Sequence, residues 1–80
     1  MEERILIQFG KCLQSQRVAR GLSQEQLAEL IDVDRTYISF LERGKRNPSL
    51  KLLNLLCIAL DISLTEFFQK IDDLEKAKNE

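Results

Sequence analysis

Apolar residues recur along this chain at three- and four-residue intervals, and the pattern is interrupted only by short polar clusters. Ile5, Leu6, Phe9, Cys12 and Leu13 share one face of a helix predicted from about Glu3 to Arg20, because residues three and four apart are neighbours at 3.6 residues per turn. Gly21 ends that helix. Ser23-Gln24-Glu25-Gln26 has capping-box spacing, a serine followed three positions later by a glutamine. It opens a second helix to about Ile31, with Leu27, Ala28, Leu30 and Ile31 on its apolar side. Asp32-Val33-Asp34 makes a turn, and Asp34 caps a third helix from Arg35 to Arg43. Gly44 closes it, and Lys45-Arg46-Asn47-Pro48 is a short loop. Ser49 caps a fourth helix, Leu50 to about Leu60, whose Leu50, Leu53, Leu56, Ala59 and Leu60 are expected in the core. Ser63-Leu64-Thr65-Glu66 is a second capping box and opens a fifth helix through Phe67, Phe68 and Ile71. Residues 72–80 are charged and show no firm apolar face, so they read as a tail that either extends the helix or frays.

Composition narrows the picture. Eighty residues, 44% of them hydrophobic, make one domain over 1–80 with a core at about 4–71. No apolar run approaches the roughly 20 residues that span a bilayer; the longest, Leu52 to Leu60, is interrupted by Asn54. The opening MEER lacks the basic start of a signal peptide, so the expected location is the cytoplasm, with no membrane partner. Cys12 and Cys57 lie in helical apolar patterns and read as small buried hydrophobes. The absence of histidine removes most acid–base and triad chemistry. With no metal-ligand cluster and no phosphate-loop glycines, neither enzyme activity nor a cofactor is expected.

The net charge of -1 hides a partition. Residues 1–34 carry four basic and six acidic groups, residues 35–60 five and one, and residues 61–80 three and six. The middle segment is thus net +4 in an acidic chain. On a helical wheel starting at Arg35, Tyr37, Leu41 and Ile38 fall at about 200°, 240° and 300°, the core side. Arg35, Thr36, Ser39, Phe40 and Arg43 fall between about 0° and 140°. Arginine can bridge guanine O6 and N7, hydroxyls donate or accept, and a Phe edge can pack on a thymine methyl, so this surface suits a major groove. Taken alone, it is equally a solvated helix side with one stray Phe.

SQEQLAELI, then DVDRTYISFLERGKRNPSL, resembles the helix-turn-helix of the phage repressor and Cro family. Gln24, Leu27, Ala28, Val33, Ile38 and Leu41 occupy that family's pattern positions. The likeness covers roughly residues 9 to 68. In size and in its DRTYIS segment the chain is most similar to the small controller proteins of restriction–modification systems. The resemblance implies an all-α, five-helix, lambda-repressor-like DNA-binding domain with its helix-turn-helix at about residues 24–43. It implies base contacts from Arg35, Thr36, Ser39 and Phe40, and backbone contacts from Gln24, Tyr37, Arg43, Lys45, Arg46 and Asn47. Arg17 and Glu42 match a structural ion pair between the first and third helices. Asp32 departs from the family's usual turn glycine, and aspartate tolerates the left-handed conformation that turn requires.

Leu52, Leu55 and Ile58 form a second apolar stripe on the fourth helix, where ordinary family members carry polar residues. With Ile62 and Phe68 they make a candidate dimer interface; the bland alternative is burial under the first or fifth helix. The expected function is a homodimeric transcriptional regulator on a pseudo-palindromic operator, with RNA polymerase a candidate further partner and no small-molecule ligand. The alternative is a protein-interaction module of the same fold, antitoxin- or adaptor-like, that binds another regulator through the Leu52/Leu55/Ile58 stripe.

Overall fold

The structure is a computed structural model that describes the backbone of residues 2–79 and the side chains of residues 4–77; Met1 and Glu80, the end of the predicted tail, lie outside the described residues. The described residues form five helices and no strand: α1 (Glu2–Ala19), α2 (Gln24–Leu30), α3 (Arg35–Glu42), α4 (Leu50–Ala59) and α5 (Leu64–Asn79). Ser23 makes the full reciprocal capping box, its side chain accepting from Gln26 N–H while the Gln26 side chain accepts from Ser23 N–H. Asp34 and Ser49 cap α3 and α4. At Ser63 only half the box forms. Its hydroxyl oxygen accepts from Glu66 N–H at 3.0 Å, and the Glu66 carboxylate takes the Ser63 hydroxyl at 3.4 Å.

All four interhelix turns begin in the same way. One residue enters the left-handed region, at φ 70° for Gly21, 58° for Asp32, 73° for Gly44 and 55° for Asp61. The next N–H then reaches back to a carbonyl in the last helical turn: Leu22 to Arg17 at 3.1 Å, Val33 to Ala28 at 3.0 Å, Lys45 to Phe40 at 2.9 Å and Ile62 to Cys57 at 3.0 Å. This is the Schellman motif, which satisfies helix-end carbonyls that would otherwise lack partners. Leu22, Val33 and Ile62 fold against the core as part of it. Asp32 therefore does make the turn without glycine, and Asp61, which the sequence pattern did not single out, repeats the device.

The core gathers Phe9, Cys12 and Leu13 from α1, Leu27, Ala28 and Ile31 from α2 and its end, Ile38 and Leu41 from α3, Leu53, Leu56, Cys57 and Leu60 from α4 and its end, and Phe67 and Ile71 from α5. The Phe9 and Phe67 rings meet edge to face at 5.7 Å, a geometry worth about 1 kcal/mol beyond burial. Both cysteines are free and buried, and burial pushes their thiols up.

Leu6 and Ala59, expected in the core, are only half-buried, and three further expected core residues are exposed. Leu50 is 73% exposed, because it sits in the first turn of α4 at the edge of the apolar stripe. Leu30 is exposed because Leu27, Ala28 and Ile31 define the buried side of α2, and Leu30 lies about 110° away from it. Ile5 is on the right stripe of α1, but where the helix runs past the core. Conversely, α5 continues through the segment read as a tail. Leu74 packs partly against the core, and Glu75 accepts from Arg4 at 3.0 Å and from Gln8 at 2.8 Å.

Two contacts fix α3 against the rest. Gly10 is buried where α1 crosses the end of α3: a Cβ there would lie 2.6 Å from the Leu41 carbonyl oxygen and closer still to that of Glu42. Glycine in a helix interior costs roughly 1 kcal/mol relative to alanine, and here it permits the approach. Beside it, the Arg17 guanidinium and the Glu42 carboxylate are paired at two points, Nε to Oε2 at 2.6 Å and Nη2 to Oε1 at 3.1 Å. Arg17 Nη1 also donates to the Leu22 carbonyl at 2.8 Å, and Gln24 Nε2 donates to Glu42 Oε1 at 3.0 Å. Both charged side chains are largely buried.

Gly10→Ala is expected to lose about 2 kcal/mol net, overpacking outweighing the propensity gain, as measured by urea unfolding. Stability equal to wild type would show that the crossing is not tight. Glu42→Ala is expected to cost about 3 kcal/mol or more, since it strands a buried guanidinium. A loss below about 1 kcal/mol, the range of an exposed pair, would show that water reaches Arg17.

Candidate nucleic-acid interface

Helix α3 is held from below by Ile38 and Leu41, both fully buried, and from one side by Glu42. Its opposite side is therefore turned outward. Arg35 and Thr36 are exposed there, and Ser39 and Phe40 are half-buried. Asp34 accepts from Thr36 N–H at 2.8 Å through its side chain, so the capping contact that starts the helix also fixes the backbone of its second residue. The Thr36 hydroxyl plays no part in that cap.

Arg43, Lys45, Arg46 and Asn47 are exposed on the segment that follows. Gly44 turns this segment back, with its own N–H on the Leu41 carbonyl and the Lys45 N–H on that of Phe40. The loop is thereby brought beside the outward side of α3. Arg43 and Arg46 place their guanidinium carbons 5.0 and 5.3 Å from the Phe40 ring centroid. Phe40 is thus less a stray exposed ring than one partly covered by cations. Between Arg35 and Lys51 the single acid is Glu42, and Arg17 neutralises it. No carboxylate from this segment offsets the positive surface.

Tyr37 is half-buried at the border of the core. Gln24, at the start of α2, faces the same region. A carboxylate can only accept, so the amide nitrogen of Gln24 must be the atom turned to Glu42. That nitrogen carries a second hydrogen for an external acceptor. Gln24 therefore belongs to the ion-pair network as well as to the surface, a link that its sequence position did not reveal.

The apolar residues assigned to the second stripe are less uniform. Ile58 is 67% exposed and Phe68 45%, and Leu55 is exposed, while Leu52 and Ile62 pack partly against the core. Gly10 was the residue the sequence pattern passed over. Its signal was available: a glycine inside an otherwise apolar-periodic helix usually has a packing reason. Among the described residues no helix is long and apolar enough to cross a membrane, and no group of three or more Cys, Asp or Glu is placed to hold a metal ion.

The pattern of the helix-turn-helix family matches residues 13–67. Control protein C.MunI of Mycoplasma sp is 46% identical over 69 residues, 85% of this chain and 93% of that one. Control protein C.BamHI of Bacillus amyloliquefaciens is 36% identical over 81 aligned positions, 98% of this chain and 100% of that one. The structure of the restriction–modification controller protein C.Esp1396I, a tetramer in complex with its natural 35 base-pair operator, superposes with a TM-score of 0.79 at 35% identity, over 86% of this chain and 91% of that one. With a family pattern spanning more than half its length, and relatives at 36–46% identity over 85% or more of it, the chain belongs to the helix-turn-helix family.

Proposed function

We propose that this protein is a sequence-specific transcriptional regulator that binds operator DNA as a homodimer, in the manner of a restriction–modification controller protein. The observation that carries the reading is the outward side of α3. It presents one cation, two hydroxyls and an aromatic ring on a helix held rigidly from behind, beside a loop of further cations. Arg35, Thr36 and Ser39 face the bases in this reading. Gln24, Tyr37, Arg43, Lys45, Arg46 and Asn47 hold the sugar–phosphate backbone, which positions the helix but carries no sequence information. The relatives support it: two are control proteins, and C.Esp1396I was solved on its operator.

A single short helix reads only a few base pairs, whereas a two-fold pair reads two half-sites about 34 Å apart. In this reading Leu55 and Ile58, one helical turn apart on α4, supply the surface for pairing together with Phe68, Leu52 and Ile62, since contiguous exposed apolar groups usually mark an interface. The role is binding rather than catalysis, and it is exercised in the cytoplasm, where the operator and RNA polymerase are. No small ligand is needed; occupancy follows protein concentration.

Selection of bound sites from a random DNA pool, at two salt concentrations, tests the reading. A pseudo-palindrome with half-sites about one turn apart, bound less tightly at higher salt, is the expected result. No enrichment by a folded, dimeric protein would favour an interaction module instead. Thr36→Ala and Ser39→Ala are each expected to relax preference at one half-site position by about 1–3 kcal/mol without altering the melting temperature; an unchanged site logo would remove them from base reading. Ile58→Lys is expected to give a folded monomer in sedimentation, and a surviving dimer would place the interface elsewhere.

A further inference from the structure

Phe40 is the largest side chain on the outward side of α3, and its surroundings suit neither simple role. A ring kept for packing sinks into the core, and Phe40 is outside the core cluster. A ring kept for base contact stands clear, and Phe40 has two guanidiniums on it, at 5.0 Å for Arg43 and 5.3 Å for Arg46. Both lie inside the range of about 6 Å over which a cation is attracted to an aromatic ring.

The backbone assembles this cluster from two directions. Arg43 follows Phe40 by three residues, so it shares the ring's side of the helix. Its Nε donates to the Ser39 carbonyl at 3.4 Å, which turns the side chain back along the axis. Arg46 lies beyond the helix end. It reaches the ring because Gly44, at φ 73°, reverses the chain and the Lys45 N–H closes on the carbonyl of Phe40 itself. One residue thus anchors the loop through its backbone and the loop's arginine through its side chain.

Two cations gathered in this way repel one another, and the acid nearest in sequence, Glu42, is committed to Arg17. Besides the long Arg43–Ser39 contact, the ring favours the arrangement in the free protein, and an anion would relieve the repulsion. An arginine that samples its rotamers freely loses that freedom on taking a phosphate; one already laid against a ring loses less.

We propose that Phe40 is a positioning residue: its ring holds Arg43 and Arg46 together as a preassembled double-cation site for the DNA backbone, and it does not itself read a base. The proposal rests on the DNA-binding reading above. It requires an aromatic ring at position 40, because a leucine supplies bulk without the negative π face.

Wild type, Phe40→Tyr, Phe40→Leu and Phe40→Ala are titrated with the duplex selected from the random pool, at two salt concentrations, after melting curves show that each is folded. The same duplex with uracil for the half-site thymines, and an unrelated duplex, complete the set. Phe40→Tyr is expected to bind within about twofold of wild type. Phe40→Leu and Phe40→Ala are expected to weaken binding on the order of tenfold, to a similar degree on all three duplexes, with a shallower salt dependence. Phe40→Ala adds no further loss in an Arg43→Ala, Arg46→Ala background. Wild-type affinity in Phe40→Leu overturns the proposal, as does a Phe40→Ala loss that persists without the arginines. A loss confined to thymine-containing DNA would make Phe40 a base reader. Failure of wild type to bind any duplex brings down the DNA-binding reading and this proposal with it; tight binding indifferent to residue 40 brings down this proposal alone.

Discussion

Glu42 lies at the end of the helix that carries the proposed reading surface, yet its carboxylate faces inward and is almost wholly buried. A charge so placed is tolerable only with full compensation. Arg17 supplies two contacts to it, Gln24 a third, and Arg17 in turn holds the Leu22 carbonyl beyond the end of α1. One carboxylate thereby joins α1, the α1–α2 turn, the first residue of α2 and the last residue of α3. A buried pair of this kind is a poor source of net stability, because desolvating two ions consumes most of their attraction. Its value here is angular. The pair ties the end of α3 to α1 and the start of α2, while buried Ile38 and Leu41 leave Arg35, Thr36 and Ser39 on the outward side.

Gly10 makes that geometry reachable. The ion pair requires α1 and the end of α3 to approach closely, and any side chain at position 10 would strike carbonyl oxygens of Leu41 and Glu42. The Schellman turns supply the rest. Asp32 sets the angle between α2 and α3, and Gly44 returns the chain so that the Lys45–Asn47 segment lies beside α3 rather than continuing away from it. Helix α3 and the basic loop form one surface for a local reason, the reversal at Gly44, while the contacts at Gly10 and Glu42 fix where that surface stands relative to α1 and α2.

The charge distribution follows the same division. An acidic chain can present a basic surface because exposed charges interact over only about 8–10 Å in physiological salt. The acids of α5 are partly engaged elsewhere: Glu75 meets Arg4 and Gln8 on α1. The single acid within the basic segment is neutralised internally by Arg17. Global charge is therefore a poor guide to this protein, and the local field, with its one acid removed, is a better one.

By itself the sequence determined the five helices, where they start and, to within a residue or so, where the first four stop. Caps and turn residues act within five or six positions, so Ser23, Asp34, Ser49 and the left-handed Asp32 and Gly44 carry their meaning locally. It also determined which side of α3 faces out, because Ile38 and Leu41 admit one orientation and the resemblance supplied the partner for Glu42. Tertiary structure alone decided the rest. Leu30 and Leu50 are as apolar as their buried neighbours, and only the position of the other helices leaves them in water. The end of α5 reads as a charged tail until Glu75 finds Arg4, 71 positions away. Phe40 looks like a ring facing solvent until the chain reverses at Gly44 and lays Arg46 on it. Burial and pairing depend on what stands opposite a side chain, and no local pattern states what that will be.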